Sequence, residues 1–441
     1  MENLDLLEYM NQANALMGQG KYADALLFLE KAEEEDRLNL DIYVTKGIAY
    51  ANMEEYDNAR TEFEKALKVN KKEGVVYFHL GNIEMLTGNK AKGIELYNNA
   101  IANGFDDAQV YFSLGLMHEE DGNDDLAIRN YSKAILKDAT RADIRIRKIH
   151  LFIRNQHLQE ALQALDELIL SNPDVFEGYH LKYLVLASLE KYDDANAVLS
   201  SAMLLFPKDT AFAIDKASLM ITKKEYKQAL EYLNSLGESY EIDNESARAI
   251  AMEKARAYAF LEDMEGSINS LEDARSAMLK NDPPQLDLEA LYLLMNCYLN
   301  LENFDKVLEY AKELKKAKGE DYYSLAAHYY EPLALKNLNK LDEAKKLFEE
   351  AVGYFRSVSL KHPGNVDSYA FRILALREIG QNQKALELAD YLVKAKDDLA
   401  EAHTLRATVL EDLGRMDEAK TERAKAVSIG GQMADLPANK Q

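Results

Sequence analysis

Apolar side chains return along this chain in a double rhythm. Between residues 77 and 100 they fall at Tyr77, Leu80 and Gly81, and then, past Gly88, at Gly93, Tyr97 and Ala100. The next stretch repeats the order with Tyr111, Leu114, Gly115, Gly122, Ala127, Tyr131 and Ala134. Offsets of three, four and seven put such residues on one stripe of a helix. Each stretch therefore predicts two helices joined by a short turn that holds glycine or a charged residue. The small residue early in the second helix recurs at Ala25, Ala59, Gly93, Ala127, Ala161, Ala195 and Ala229, always 34 residues apart. It continues at Ser267, Val307, Ala344, Ala385 and Ala419 with intervals of 34 to 41. A fixed period of this size predicts an array in which every unit buries its apolar face on the next. Gly47, Gly81 and Gly115 on the first helices are expected to face the small residues of the second helices and let the two backbones approach. Pro173 and Pro207 fall where second helices should stop.

These residues resemble the tetratricopeptide repeat, a 34-residue helix–turn–helix unit with aromatic, Leu-Gly, Tyr, Ala, aromatic, Ala and closing Pro positions at the same offsets. The resemblance covers twelve units from about Leu6 to Met433 and implies an all-α fold, a right-handed α-solenoid of about twenty-four helices with no strands. Within it, residues 1–243 hold seven regular units and 244–365 three longer ones. Residues 366–433 hold two further units ending in a capping helix, and 434–441 form a flexible tail. The longer units carry Asn281-Asp282-Pro283-Pro284 and His362-Pro363-Gly364. Pro332 stands on the first helix of the tenth unit where the family has Gly or Ala, so that helix is expected to start late, kink or pack differently. In the last helix Arg423 replaces an aromatic or Leu, as suits an end left to water.

Charge narrows the partners. The 441 residues hold 76 acids against 53 Lys and Arg, a formal net charge of −23. Nucleic-acid affinity comes largely from neutralised phosphates, and anionic membrane surfaces attract basic segments, so neither is expected to bind. No apolar stretch approaches the roughly 20 residues of a membrane span. Acids occupy the opening residues where a signal peptide is basic, and a cytoplasmic location follows as the expectation. The single cysteine, Cys297, excludes an intramolecular disulfide framework; on a stripe with Leu293, Leu294 and Tyr298 it reads as a buried, inert thiol. No phosphate-binding glycine loop, zinc-protease helix or nucleophile elbow occurs. No catalytic residue, metal site or cofactor is therefore expected.

What remains is surface. The resemblance implies that first helices line a concave face. Carried over residue by residue, their fifth positions hold Met10, Val44, Phe78 and Phe112, with Met17, Ile48, Met85, Leu86 and Leu116 beside them. Such an apolar strip, surplus to the repeat core, marks a contact site. The fifth unit instead carries Arg141, Arg145, Arg147, Lys148 and Arg154, and helical spacing brings Arg147, His150 and Arg154 to one face, a chemistry suited to carboxylates. The family's grip on acidic chain termini needs lysines where this sequence has Met10 and Val75. The expected function is a protein-interaction scaffold that takes a peptide or helix with apolar anchors and an acidic end. The alternative is a regulator that changes curvature on binding a ligand.

Overall fold

The computed structural model describes residues 4–430, and the tail expected at 434–441 lies outside them. Among the described residues there are twenty-four α-helices and no strand. They alternate as first and second helices of twelve hairpins, from Leu4–Gly18 with Tyr22–Glu35 to Ala400–Asp412 with Met416–Ser428. The chain forms two compact units, one up to Phe206 with six hairpins and one from Pro207 with six more. In each unit every second helix packs on its own first helix and on the first helix of the next hairpin, the arrangement of a helical solenoid. Pro173 and Pro207 each lie two residues past the end of a second helix.

The periodic small residue is the axis of each hairpin. Ala25, Ala59, Ala127, Ala161, Ala195, Ala229 and Ala385 are fully buried, and Gly93, Ser267, Val307, Ala344 and Ala419 are also buried. One turn further on, Leu29, Phe63, Tyr97, Tyr131, Leu165, Leu199 and Phe348 fill the interior. Gly47 and Gly115 meet these larger side chains, which revises the small-against-small expectation. A Cβ on Gly47 would lie 2.5–2.8 Å from three carbons of the Phe63 ring. Gly81 meets both kinds of neighbour, the Tyr97 ring at 2.7 Å and the Gly93 carbonyl at 3.4 Å. The glycine is a recess for an aromatic edge, and dispersion across such a fit is what holds a hairpin closed.

The turns obey the same period. One residue between the two helices of every hairpin takes the left-handed conformation, namely Gly20, Glu54, Gly88, Gly122, Gln156, Glu190 and Lys224 at 34-residue spacing, then Glu262, Glu302, Asn339, Gly380 and Gly414. Four of the six first helices of the second unit follow a capping residue, Asp243, Asp287, Asp321 or Asn365, whose side chain accepts from the backbone N–H three residues on. The added residues of the longer repeats are shared between helices, with Asn244–Phe260 at 17 residues and Leu341–Lys361 at 21, and the connections 280–287 and 315–321. Pro332 does not delay its helix. Tyr322–Asn337 runs through it, with the ring buried three turns from the start.

Candidate functional site

Successive first helices touch one another in the first unit, Leu40–Asn52 against Gly74–Leu86 and Ala142–Arg154 against Phe176–Ser188, so their free faces adjoin. On that inner layer Met10 and Met17 are half-buried beside Leu26 and Leu29, and Val44 and Ile48 beside Tyr43 and Phe63. Met85, Phe112 and Leu116 are half-buried against the cluster of Tyr97, Leu114 and Tyr131. Leu86 is mostly exposed. Part of the strip thus belongs to packing, and part of each side chain stays open.

Phe78 must be removed from the strip. It is 3% exposed, with the Phe105 ring 5.1 Å and the Tyr97 ring 5.7 Å away. Phe105 comes from the connection after Lys90–Ala102, which folds back so closely that a Cβ on Gly74 would lie 2.7 Å from the Phe105 nitrogen. One repeat later the residue equivalent to Phe105 is Ala139, too small to cover anything. Phe112 accordingly keeps an open face, over which the Arg141 guanidinium sits at 5.2 Å.

The basic end is present and exposed, but its charges are engaged. Arg154 Nε donates to Asp124 at 3.1 Å, and Asn155 donates to the same carboxylate at 2.8 Å. These hydrogen bonds, Arg154's first, hold the Asp124 carboxyl below the usual range. Arg147 lies 3.7 Å from Glu119, and His150 Nε2 is 3.0 Å from Glu177. All three partners sit on neighbouring repeats. The trio shares one face as the spacing required, yet it bridges repeats and is not a free anion site. On the other flank, Arg145 and Lys148 line a cleft of about 390 Å³ with Glu167 and Ile135. Burial there pulls the Lys148 amine down.

The larger apolar cavity was not anticipated. It lies in the second unit between Asn244–Phe260 and Leu288–Asn300, about 610 Å³ in volume. Met252, Met264, Leu271, Leu293 and Cys297 give it apolar walls, and Glu253, Glu262, Glu289, Arg256, Asn296 and Asn300 are among its polar members. Burial pushes the Cys297 thiol up, which quiets it as a nucleophile. No cluster of three or more His, Cys, Asp or Glu side chains among the described residues could hold a metal ion, and no described helix is long and apolar enough to cross a membrane.

Family models for the tetratricopeptide repeat match residues 40–73 and, in two overlapping stretches, 333–400 and 372–424. The first match coincides with one hairpin of the 34-residue series. These stretches of the chain are tetratricopeptide repeats. Among its relatives, the BBSome complex member BBS4 of Bos taurus is 22% identical over 325 residues, 68% of this chain and 60% of that protein. The chain thus spans less than two thirds of that relative's length. A TPR repeat-containing protein of Methanocaldococcus jannaschii is 24% identical over 96% of this chain and 75% of its own. The crystal structure of yeast Tom70 matches at 15% identity and a TM-score of 0.44, covering 98% of this tetratricopeptide chain and 93% of Tom70.

Proposed function

We propose that this tetratricopeptide protein is a non-enzymatic scaffold whose first-helix layer in repeats one to five takes a segment of a partner protein. Tetratricopeptide proteins in general mediate protein–protein interactions and assemblies. The observation that supports the reading here is the row of half-open apolar side chains on successive first helices, Met10 and Met17, Val44 and Ile48, Met85, then Phe112 and Leu116. Methionine adapts to irregular partners, and buried aromatic anchors carry most of an interface's affinity. The basic end plays a smaller part than its composition suggests. An acidic partner residue would have to displace Glu119 or Asp124 from pairs that already exist, and exchanging one exposed pair for another gains little.

The test is site-specific crosslinking. A photoreactive residue at Leu116 is compared with one at Leu136, an exposed position on the second helix of the same repeat, in cells of the source organism. Protein adducts from Leu116 that vanish with Phe112→Ala support the reading. Equal adducts from both positions overturn it.

A further inference from the structure

The second helices of repeats four to six carry a feature that the fold does not use. Leu136, Leu170 and Leu204 occupy one repeat position, 34 residues apart. They are 83, 86 and 83% exposed, more than any other large apolar side chain among the described residues. The same position holds Glu34, Lys68 and Ala102 in repeats one to three and Glu238 in repeat seven. Packing of the hairpin therefore makes no demand on it, and three consecutive leucines there leave an apolar row in water. One and two turns before each leucine, on the same stripe of its helix, the neighbours change along the row. They are Lys133 and Arg129 on the fourth repeat, Glu167 and Gln163 on the fifth, and Ser201 and Ala197 on the sixth, all exposed. The row is thus basic at one end and neutral at the other. Arg129 and Lys133 form no ion pair among the described residues, and the Lys133 amine rests over the Tyr111 ring at 5.3 Å.

Beside Leu136 opens the cleft of about 390 Å³ that Arg145 and Lys148 line. The Lys148 amine lies over the Phe152 ring at 5.4 Å and forms no ion pair among the described residues. Arg145 Nη1 stands 3.9 Å from Glu167, beyond a hydrogen bond. Two cations there share one exposed acid. We infer that this outer row binds an amphipathic helix of a partner protein, whose apolar stripe covers Leu136, Leu170 and Leu204 and whose acidic end reaches the Arg145–Lys148 cleft. Helical walls offer no free backbone groups, so the occupant must satisfy its own, as a helix does. A basic end would meet Arg129, Lys133 and Lys148 as like charges. A second copy laid on the row about a two-fold axis would set repeat five on itself, Glu167 against Glu167, and bring Arg129 and Lys133 to Ser201 and Ala197, where no acid stands. An anionic membrane would be repelled by the rest of a chain of net charge −23. This surface is separate from the first-helix layer. A photoreactive residue at Leu136 captures here a partner whose adducts survive Phe112→Ala, unlike those from Leu116, so either surface can fail alone.

Fluorescence anisotropy on the full chain tests this with three labelled helical peptides. One carries a leucine stripe and glutamates at one end, the second has lysines in place of the glutamates, and the third keeps the glutamates but has serines in place of the leucines. Binding of the first, about tenfold weaker binding of the second and none of the third support the inference. Leu170→Ser should weaken the first peptide about tenfold and keep the helical spectrum, since charged residues already stand at this position in other repeats. Lys148→Gln should weaken the glutamate peptide and not the lysine peptide, and Phe112→Ala should change neither. Equal affinity for the glutamate and lysine peptides overturns the inference, as does unchanged affinity in Leu170→Ser or lost affinity in Phe112→Ala. A dimer in sedimentation that Leu170→Ser dissolves gives the row to a second copy, and binding to phosphatidylserine vesicles that Leu170→Ser abolishes gives it to a membrane; either result overturns it too.

Discussion

Substituting Gly47 by alanine isolates the contact that closes a hairpin. The new methyl carbon would lie 2.5, 2.7 and 2.8 Å from three Phe63 ring carbons, against an ordinary separation of about 3.5–4 Å. Phe63 has nowhere to retreat, because it is fully buried and its far face stacks on His79 with ring centroids 5.4 Å apart and planes 2° from parallel. Overpacking of this kind costs about 3 kcal/mol at the upper end. Alanine's better helix propensity returns about 1 kcal/mol. The net loss is about 2 kcal/mol, and it belongs to one hairpin, since repeats touch only their neighbours. Hydrogen exchange over residues 40–69 should accelerate by roughly thirtyfold while distant repeats stay unchanged. Gly353→Ala is the control. That glycine lies inside Leu341–Lys361 with nothing within 4 Å of its Cβ position, so the same change should stabilise by about 1 kcal/mol. Phe63→Leu should suppress the defect of Gly47→Ala, revealing the coupling in a double-mutant cycle. Unchanged or slower exchange in the 40–69 hairpin of the single mutant would refute the packing argument.

Three further outcomes are expected. Glu190 holds the left-handed turn of its hairpin at φ +58°, so Glu190→Gly should raise stability by about 1 kcal/mol in urea melts followed by circular dichroism. Burial depresses the His79 imidazole to about 4 from 6.5. Its folded pKa is the lower one, so stability is complete above pH 6.5 and falls, by up to about 3 kcal/mol, as pH drops from 6.5 toward 4 and only the unfolded chain takes the proton; His79→Leu should flatten that slope. Glu422 is buried in the last helix, 2.6 Å from His403 Nδ1, 2.8 Å from Arg406 and 2.9 Å from Lys425. Glu422→Gln should cost about 3 kcal/mol near neutral pH by stranding these partners, measured as faster exchange in residues 400–428.

The fold was legible because one period runs through three independent features. The small residue, the large residue four places later and the left-handed turn residue all repeat at 34. The turn could be read by phase even where Glu54, Gln156, Glu190 and Lys224 stand in place of glycine. The candidate face was legible only in part. Phe78 and Phe112 share a repeat position, and what separates them is Phe105 against Ala139 in the connections that follow. That information lies outside the stripe that defined the face. The basic cluster showed its shared face in the spacing, but not its partners, since Glu119, Asp124 and Glu177 come from adjoining repeats. The cavity left no letter in the sequence, because it is volume that longer helices fail to fill. Cys297 was visible there only as one more member of an apolar stripe.

The bridges between repeats also bear on mechanics. Arg60 to Glu84, Lys90 to Asp121 and Arg154 to Asp124 run along the first unit, and Arg248 to Asp287, Arg275 to Glu313 and Arg377 to Asp412 along the second. Each hairpin is closed by apolar packing, which added salt does not weaken, whereas its joints to the next hairpin carry these ion pairs as well. Where the pairs are exposed, as at Lys90 and Arg154, dissolved ions screen them; where the carboxylate is buried, as at Glu84 and Asp287, they do not. Ionic strength therefore acts on the compliance of each stack and not on the integrity of its parts. A rise in salt softens particular joints in a fixed order, like a jointed rule whose rivets loosen one by one while the segments stay rigid.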